Sequence, residues 1–376
     1  MSPSRKHPID YRQREVGYVM ERWRASESSS LVGVGSVGKS NLMRHLADPD
    51  VQRAYMDKAH VDSFRAIIID PSLLTPLPQH SDANAEQIGC WAGYELMLHR
   101  LFLAFHRTDV LDEDDALRFQ SIYETLQDGR NPLYSQMGLR YFELGLQLFM
   151  EREIHIVFMF DEFEEMLRHL PVKFFLTLRG LRDTNKKYLS YLTFTRTPLP
   201  DVVRREGIDP LAIEQFIELF TDNVFYVGPF SERDGRKMIR ELEERNQRAF
   251  DQATQTFLLW STGMFPGLLR STFRILSAME HLDATTVMTQ SRELAQDIAR
   301  RNPVRSECHT IWASLNDAER YVLRVAVGLA NFERSDESTQ AVELLVQKRL
   351  LRIDDNQLLI EPPLFAAYVA YVVNET

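Results

Sequence analysis

Short apolar runs alternate along the chain with longer segments in which apolar residues recur every three or four positions. The short runs predict five strands, at about 28–32, 65–70, 154–160, 189–195 and 223–227. The third run is almost wholly apolar, as expected for a central strand that is buried on both faces. Helical spacing fills the segments between the runs. The pattern therefore predicts an α/β fold with a five-stranded parallel sheet flanked by helices.

Long helical stretches interrupt or follow this alternation. The first, at about 86–152, predicts a helical insert, and a second begins at Ser231. From about 303 the pattern predicts three helices, two short strands and a closing helix, which is the order of a winged helix. The sequence therefore predicts three domains: a sheet domain at 1–230, an all-helical lid at 231–302 and a winged helix at 303–376.

A phosphate-binding motif follows the first predicted strand. The segment Gly33–Ser40 fits G-x-x-x-x-G-K-[ST] and leads into a predicted helix. Backbone N–H groups of such a turn converge on one spot, and glycines permit positive φ and close approach. Lys39 is predicted to reach the β- and γ-phosphates, and Ser40 to ligate Mg²⁺. The candidate nucleotide-binding residues are Gly33, Val34, Gly35, Ser36, Val37, Gly38, Lys39, Ser40 and Asn41. A chance match in a loop is the alternative, which the strand–turn–helix context disfavours.

Two carboxylates end the third predicted strand. Asp161 and Glu162 directly follow the apolar run at 154–160, and ligands bind at this end of parallel strands. Asp161 is predicted to hold the Mg²⁺ shell, and Glu162 to orient or deprotonate an attacking water. Glu164 and Glu165 fall on the next helix and are predicted to form a solvated face.

Arginines follow the fourth predicted strand. Arg196 at its tip lies beside the acidic strand end, from which it can reach a γ-phosphate. Arg204 and Arg205 come soon after, and either could serve an oligomer as an arginine finger. Surface solubility is the favoured alternative for this pair. Nearer the N-terminus, Arg12 opens a predicted helix, where it either packs over a nucleotide base or belongs to a solvated helix start.

Composition narrows the class of protein. Hydrophobic residues make up 44% and charged residues 26% of the 376 positions, which favours a globular protein. Two distant cysteines, Cys90 and Cys308, form no metal-ligand spacing and indicate a reducing compartment. The N-terminus leads into no apolar stretch, and no apolar run approaches the ~18 residues of a spanning helix. We expect a cytoplasmic protein with no membrane partner.

The charge distribution bears on partners. The net charge is −10, and residues from 303 onward carry seven Lys or Arg against eleven Asp or Glu. The helix predicted at 337–348 offers only Lys348 and Arg349 at its end, whereas phosphate contacts need clustered cations. A protein partner or self-association is therefore favoured. DNA binding remains an alternative because basic residues are scattered from Lys173 to Arg205.

These features together resemble the STAND class of P-loop NTPases, relatives of the AAA+ ATPases and their replication-initiator members. The matching positions are Gly33–Ser40, Asp161 with Glu162, Arg196 after Thr195, and the Gly263–Pro266–Gly267 turn. The resemblance implies ATP or ADP with Mg²⁺ as cofactors. It also implies that Arg196 senses the γ-phosphate and that Pro266 sits against the adenine.

The resemblance has two departures. The family's Gly-Arg-x-x-Glu motif here reads Tyr11-Arg12-Gln-Arg-Glu15, with tyrosine at the glycine position, which bears on base binding by Arg12. The sequence also shows no repeat array and no obvious effector domain around the predicted switch.

Three functions follow from the sequence. The first is an ATP-binding, slowly hydrolysing molecular switch that controls oligomerisation or partner binding. The alternative is an AAA+ initiator-like ATPase that acts on DNA as an initiator, loader or transposition regulator. A third, nucleotide binding without hydrolysis, is disfavoured because both Asp161 and Glu162 are present.

Overall fold

The computed structural model describes residues 7–56, 63–74, 84–105, 110–128, 134–279, 284–331, 333–355 and 357–371. Its chain forms two compact units. The first consists of Met1–Val32 and Ser40–Phe225, and the second of Gly33–Lys39 and Tyr226–Thr376. The three-domain division expected from the sequence stays a prediction.

The first unit carries the predicted five-stranded parallel sheet, in the strand order β2-β3-β4-β1-β5. The strands are β1 (Ser29–Val32), β2 (Phe64–Ile69), β3 (His155–Phe160), β4 (Leu189–Thr195) and β5 (Val224–Tyr226). Every residue of β1 and β4 is buried, including Ser29 and Ser30 of β1 and Ser190, Thr193 and Thr195 of β4, as expected for strands covered on both faces. The predicted fold class is confirmed, and each strand ends within one residue of its expected bounds.

Helices cover this sheet. They are α1 (Gln13–Arg24), α2 (Lys39–Leu46), α3 (Pro49–Tyr55), α4 (Ala85–Phe105), α5 (Glu113–Gln127), α6 (Tyr134–Met150), α7 (Phe163–His169), α8 (Val172–Thr184), α9 (Leu199–Arg205) and α10 (Pro210–Ile217). Helices α4 to α6 lie in the range of the predicted insert. An aromatic cluster joins β3 and β4 to α7, α8 and α10 through Phe160, Phe163, Phe175, Tyr191 and Phe216.

The register of the sheet brings three strand ends together. Val32, the last residue of β1, pairs with Thr195 at the end of β4. Phe160, the last residue of β3, pairs with Thr193 of β4. The segments that follow β1, β3 and β4 therefore begin along one edge, where parallel sheets bind their ligands.

The second unit is mainly helical after Tyr226. Its helices are α11 (Glu232–Asn246), α12 (Gln252–Thr262), α13 (Pro266–Ser277), α14 (Ala284–Thr289), α15 (Ser291–Arg300), α16 (Asn302–Ala313), α17 (Asp317–Ala326), α18 (Asp336–Gln347) and α19 (Pro363–Tyr371). The single helix expected from 284 to 300 is two, since Gln290 leaves helical geometry with φ −118° and ψ 28°. Helix α17 ends before the expected residue 330, and Gly328 beyond it has φ 76°.

An antiparallel hairpin lies near the end of this unit. Strands β6 (Leu351–Asp354) and β7 (Gln357–Ile360) pair with Leu351 opposite Ile360. Three helices, this hairpin and α19 follow the order expected for a winged helix, which itself stays a prediction. None of the helices in the described ranges has the length and apolar character needed to cross a membrane.

Candidate nucleotide site

The loop between β1 and α2 has the backbone of an anion-binding turn. Ser36 and Gly38 have φ of 62° and 91°, while Val37 between them has no positive φ, and α2 begins at Lys39. This alternation turns successive N–H groups toward one side. The expected positive φ holds for Gly38. Gly35 serves close packing instead, because a Cβ there would lie 2.5 Å from Thr310 Cγ2.

Residues 33–39 of this loop belong to the second unit, and other groups of that unit contact them. The sequence did not predict these contacts. The Ser36 hydroxyl donates a hydrogen bond to Glu307 of α16, and the Gly35 N–H donates to Ser314 Oγ at 3.3 Å. The N–H of Gly267 donates to the Ser36 carbonyl at 3.1 Å. The phosphate loop is therefore in contact with α16 and with the first turn of α13.

Pro266 lies at the start of that same helix. It occupies the first turn of α13, where a missing N–H costs nothing, and it is buried. Its neighbour Gly267 makes the hydrogen bond to the loop. Contact between Pro266 and an adenine stays a prediction.

The Lys39 ammonium lies against its own loop. It donates hydrogen bonds to the carbonyl oxygens of Gly33 and of Val34, the latter at 3.3 Å. An ammonium has three donors on a flexible stem, so it can exchange these carbonyls for phosphate oxygens. Within the segment 33–41, which the sequence predicts to bind nucleotide, the side chains of Val34 and Val37 are buried.

Ser40 and Asp161 come together although 121 residues separate them. The Ser40 hydroxyl donates to Asp161 Oδ2 at 3.3 Å, and Asp161 Oδ1 accepts from the Glu162 N–H at 3.0 Å. A hydroxyl and a carboxylate oxygen are hard ligands of the kind Mg²⁺ prefers. The residues present therefore fit the metal that the sequence predicted.

Glu162 and Arg196 also meet. The Arg196 Nη2 atom lies 3.5 Å from Glu162 Oε1, with both side chains about half exposed, at 45% and 58%. Glu162 has a φ of 41°, an uncommon conformation for a residue with a Cβ. Such strained residues occur often at functional sites. Both predicted catalytic side chains are thus within reach of one another at the edge of the sheet.

Glu164 is not solvated, so its predicted role was wrong. Only 5% of it is exposed, and its carboxylate accepts a hydrogen bond from the Arg196 N–H at 2.5 Å. Helix α7 begins at Phe163 and packs on β4, which turns the second helical position toward the strand tip. Glu165 is half-exposed and pairs with Arg168, as a surface position would.

The end of β4 holds a further polar group. The Thr195 hydroxyl is buried, and the described part of the chain offers it no hydrogen-bond partner. Buried hydroxyls normally have a partner, so this one is an exception at the edge that carries Asp161 and Arg196. In the sequence, only the position of Thr195 at the end of a predicted strand indicated that it could lie at the site.

Arg12 is buried rather than part of a solvated helix start. It is 1% exposed, and its Nη1 donates to Glu15 Oε1 at 2.8 Å. The preceding Tyr11 ring meets His45 of α2 edge-on, with centroids 5.2 Å apart. This segment therefore packs near the end of the P-loop helix, and base contact by Arg12 stays a prediction.

Arg204 and Arg205, the cations considered as arginine fingers, are paired with acids. Arg204 pairs with Asp201, and Arg205 lies 3.6 Å from Glu206. Hydrogen bonds from Arg168 also lower the pKa of Glu206. A role of Arg204 or Arg205 as an arginine finger stays a prediction.

Lys348 cannot serve a nucleic acid in this structure. It is fully buried, with its ammonium 2.6 Å from Glu319 Oε1. Helix α18, Asp336–Gln347, contains no lysine or arginine. The sequence offered only Lys348 and Arg349 at the end of this helix, and burial of Lys348 leaves fewer cations there for a phosphate backbone.

Comparison with known proteins gives a likeness in fold. No protein-family model matches the sequence, and no curated protein is recognisably similar to it. Among solved structures, the Walker-type ATPase PABY2304 of Pyrococcus abyssi superposes with a TM-score of 0.51 at 15% identity, over 97% of this chain and 99% of that one.

Two other structures show weaker likeness. Cdc6p of Pyrobaculum aerophilum is 13% identical, with a TM-score of 0.41 over 100% of this chain and 97% of its own. RuvB of Thermotoga maritima is 9% identical, with a TM-score of 0.43 over 95% of each chain. These two carry no argument about this chain. The likeness to the Walker-type ATPase is one of fold, a five-stranded parallel sheet flanked by helices.

Proposed function

We propose that this protein binds ATP with Mg²⁺ and hydrolyses it. The observation that carries the proposal is the approach of Ser40 Oγ to Asp161 Oδ2 at 3.3 Å. These two oxygens belong to the end of the phosphate loop, which follows β1, and to the end of β3, which β4 separates from β1 in the sheet. Their meeting is what a nucleotide-bound metal requires of a P-loop protein.

The residues divide the chemistry among themselves. Backbone N–H groups from Ser36 to Ser40 and the Lys39 ammonium bind the phosphates, while Ser40 and Asp161 hold Mg²⁺, which neutralises phosphate charge when bound. Glu162 orients the attacking water and accepts its proton. The 3.5 Å pair between Glu162 and Arg196 must open for this, which frees the guanidinium to stabilise charge on the transferred group.

Replacing Ser40 tests the proposed metal site. We expect Ser40→Ala to lower Mg²⁺-dependent ATP turnover by roughly 10²-fold, because one of two protein oxygen ligands is lost. Nucleotide affinity without metal should change little. Phosphate release measured across a Mg²⁺ titration, beside equilibrium binding of a fluorescent ATP analogue in EDTA, separates the two effects.

Ser121→Ala is the matched control, since Ser121 is an exposed serine on α5. Equal turnover and equal Mg²⁺ requirement in the Ser40 and Ser121 variants would contradict the proposed metal site.

We further propose that the ATPase is of the AAA+ kind rather than a STAND switch. The fold likeness to a Walker-type ATPase fits the initiator-like alternative better than the STAND subclass. Likeness in fold does not identify a substrate. Action on DNA therefore remains a finer proposal, and the paired state of Arg204, Arg205 and Lys348 gives it no direct support.

A nucleotide-controlled switch is kept as the second candidate because of one contact. The Ser36 hydroxyl binds Glu307, so a loop that holds phosphates also touches a helix of the C-terminal part of the chain. A carboxylate and a phosphate repel each other near one hydroxyl. Nucleotide binding would therefore displace α16 and alter the surface offered to a protein partner or a second copy.

One experiment separates the two candidates. Action on DNA predicts that duplex DNA accelerates ATP turnover, with an affinity that falls steeply as salt rises. A switch predicts no response to DNA but a different hydrodynamic radius with ADP and with ATP. Turnover assays with labelled duplex at low and moderate salt, beside light scattering in each nucleotide, measure both. Absence of DNA binding at low salt would remove the first candidate, and an unchanged radius would remove the second.

A further inference from the structure

Glu164 joins the acidic strand end to the tip of β4. Glu164 is 5% exposed, and its carboxylate accepts the Arg196 N–H at 2.5 Å. Glu164 follows Glu162 by two residues, so this bond links the segment bearing the proposed base to the backbone of the proposed γ-phosphate sensor.

The position of Arg196 explains why such a bond matters. The pairing of β4 with β1 ends at Thr195 opposite Val32, so Arg196 is the first residue beyond that register. Its side chain is 45% exposed. The hydrogen bond from the Arg196 N–H to Glu164 positions the backbone from which this side chain extends. The guanidinium lies 3.5 Å from the Glu162 carboxylate.

Burial of this carboxylate also needs a reason. A buried charged group is costly unless hydrogen bonds compensate for the lost water, and an apolar residue would fill the place without that cost. Neighbouring positions of α7, namely Phe163, Met166 and Leu167, are apolar and fully packed. Packing alone therefore does not account for a glutamate at this position.

We propose that Glu164 is a positioning residue for Arg196 in ATP hydrolysis. It holds the β4 tip so that the guanidinium lies beside Glu162 before the reaction and beside the transferred phosphoryl group during it. The proposal rests on the proposed ATPase function, and it assigns to Glu164 no contact with the nucleotide.

A double-mutant cycle in the full-length chain tests this role. We expect Glu164→Ala to lower kcat by roughly 10- to 100-fold with little change in ATP affinity, as for small misplacements of a catalytic group. Glu164→Gln keeps an oxygen acceptor of the same reach and should retain most of the activity. In an Arg196→Ala background, Glu164→Ala should cause almost no further loss, because its effect passes through Arg196.

The neighbouring Glu165→Ala is the control, since Glu165 is on the same helix and only half-buried. An equal loss from Glu164→Ala with and without Arg196 would overturn the proposal and leave Glu164 with a merely structural role. A Gln variant as impaired as the Ala variant would also count against it.

Amide hydrogen exchange gives a readout that needs no activity. We expect Glu164→Ala to speed exchange of the Arg196 N–H at least tenfold, while amides within β3 keep their protection. Unchanged exchange at Arg196 would overturn the proposal even in an active enzyme. If the wild-type chain shows no ATP turnover, the proposed ATPase function is rejected. Faster exchange of the Arg196 N–H in the Glu164 variant would still show that Glu164 stabilises the end of β4.

Discussion

Glu162→Gln should reduce ATP turnover by about 10²- to 10⁴-fold while ATP still binds. Glutamine keeps the size of the side chain and one oxygen acceptor, but it can neither accept the proton of an attacking water nor carry the charge that faces Arg196. The phosphate loop and the Ser40–Asp161 contact do not involve the Glu162 side chain. The loss should therefore fall on kcat and leave nucleotide affinity within a few-fold of wild type.

Steady-state phosphate release and equilibrium nucleotide binding measure these two quantities. Glu165→Gln makes the same chemical change three positions along, on a half-exposed residue that pairs with Arg168. Its turnover should match wild type. Full activity in the Glu162 variant would mean that another group activates the water, and loss of nucleotide binding would mean that the side chain supports the fold instead.

Lys348→Met should lower the free energy of unfolding by about 3–5 kcal/mol. The substitution removes the partner of Glu319, whose carboxylate is fully buried and would lose its counter-charge. Glu319 also accepts the Asn316 N–H at 3.0 Å in the capping box of α17. An unpaired charge at that point therefore weakens both the helix start and the packing around α18.

Urea denaturation followed by circular dichroism measures the effect. Lys186→Met is the control, because Lys186 is 70% exposed and its ammonium lies 4.0 Å from Asp183, a distance typical of a weak surface pair. Surface substitutions of this kind change the free energy of unfolding by no more than about 0.5 kcal/mol. A second variant that replaces Glu319 and Lys348 together by methionine should recover much of the loss, since no charge is left buried. Similar midpoints for the Lys348 and Lys186 variants would contradict this account of the pair.

The sequence predicted the sheet almost to the residue. Parallel strands that are buried on both faces are rich in apolar residues, and the segments 154–160 and 189–195 are short, largely apolar runs. The order of the strands was beyond the sequence, because parallel neighbours are chosen by non-local packing. Helix ends were also less certain, as the break at Gln290 shows, since local geometry there depends on the tertiary contacts of α14 and α15.

The candidate site was predicted where the chemistry depends on consecutive residues. A P-loop spans eight positions, and two acids directly follow a central strand, so local sequence suffices to find Lys39, Ser40 and Asp161. It does not suffice for groups that arrive from elsewhere in the chain. Glu307 reaches Ser36 across 271 positions, and no short pattern marks it as a neighbour of the phosphate loop.

The sequence by itself determined the fold class and the candidate nucleotide-binding residues, because periodicity and short motifs are local properties. Only the tertiary structure decided which charges are buried. Glu164 was expected on a solvated helix face and Lys348 at the end of a helix, yet one binds the β4 tip and the other a buried carboxylate. Burial depends on which elements pack together, so the same residue type can be an exposed charge in one place and a buried link in another.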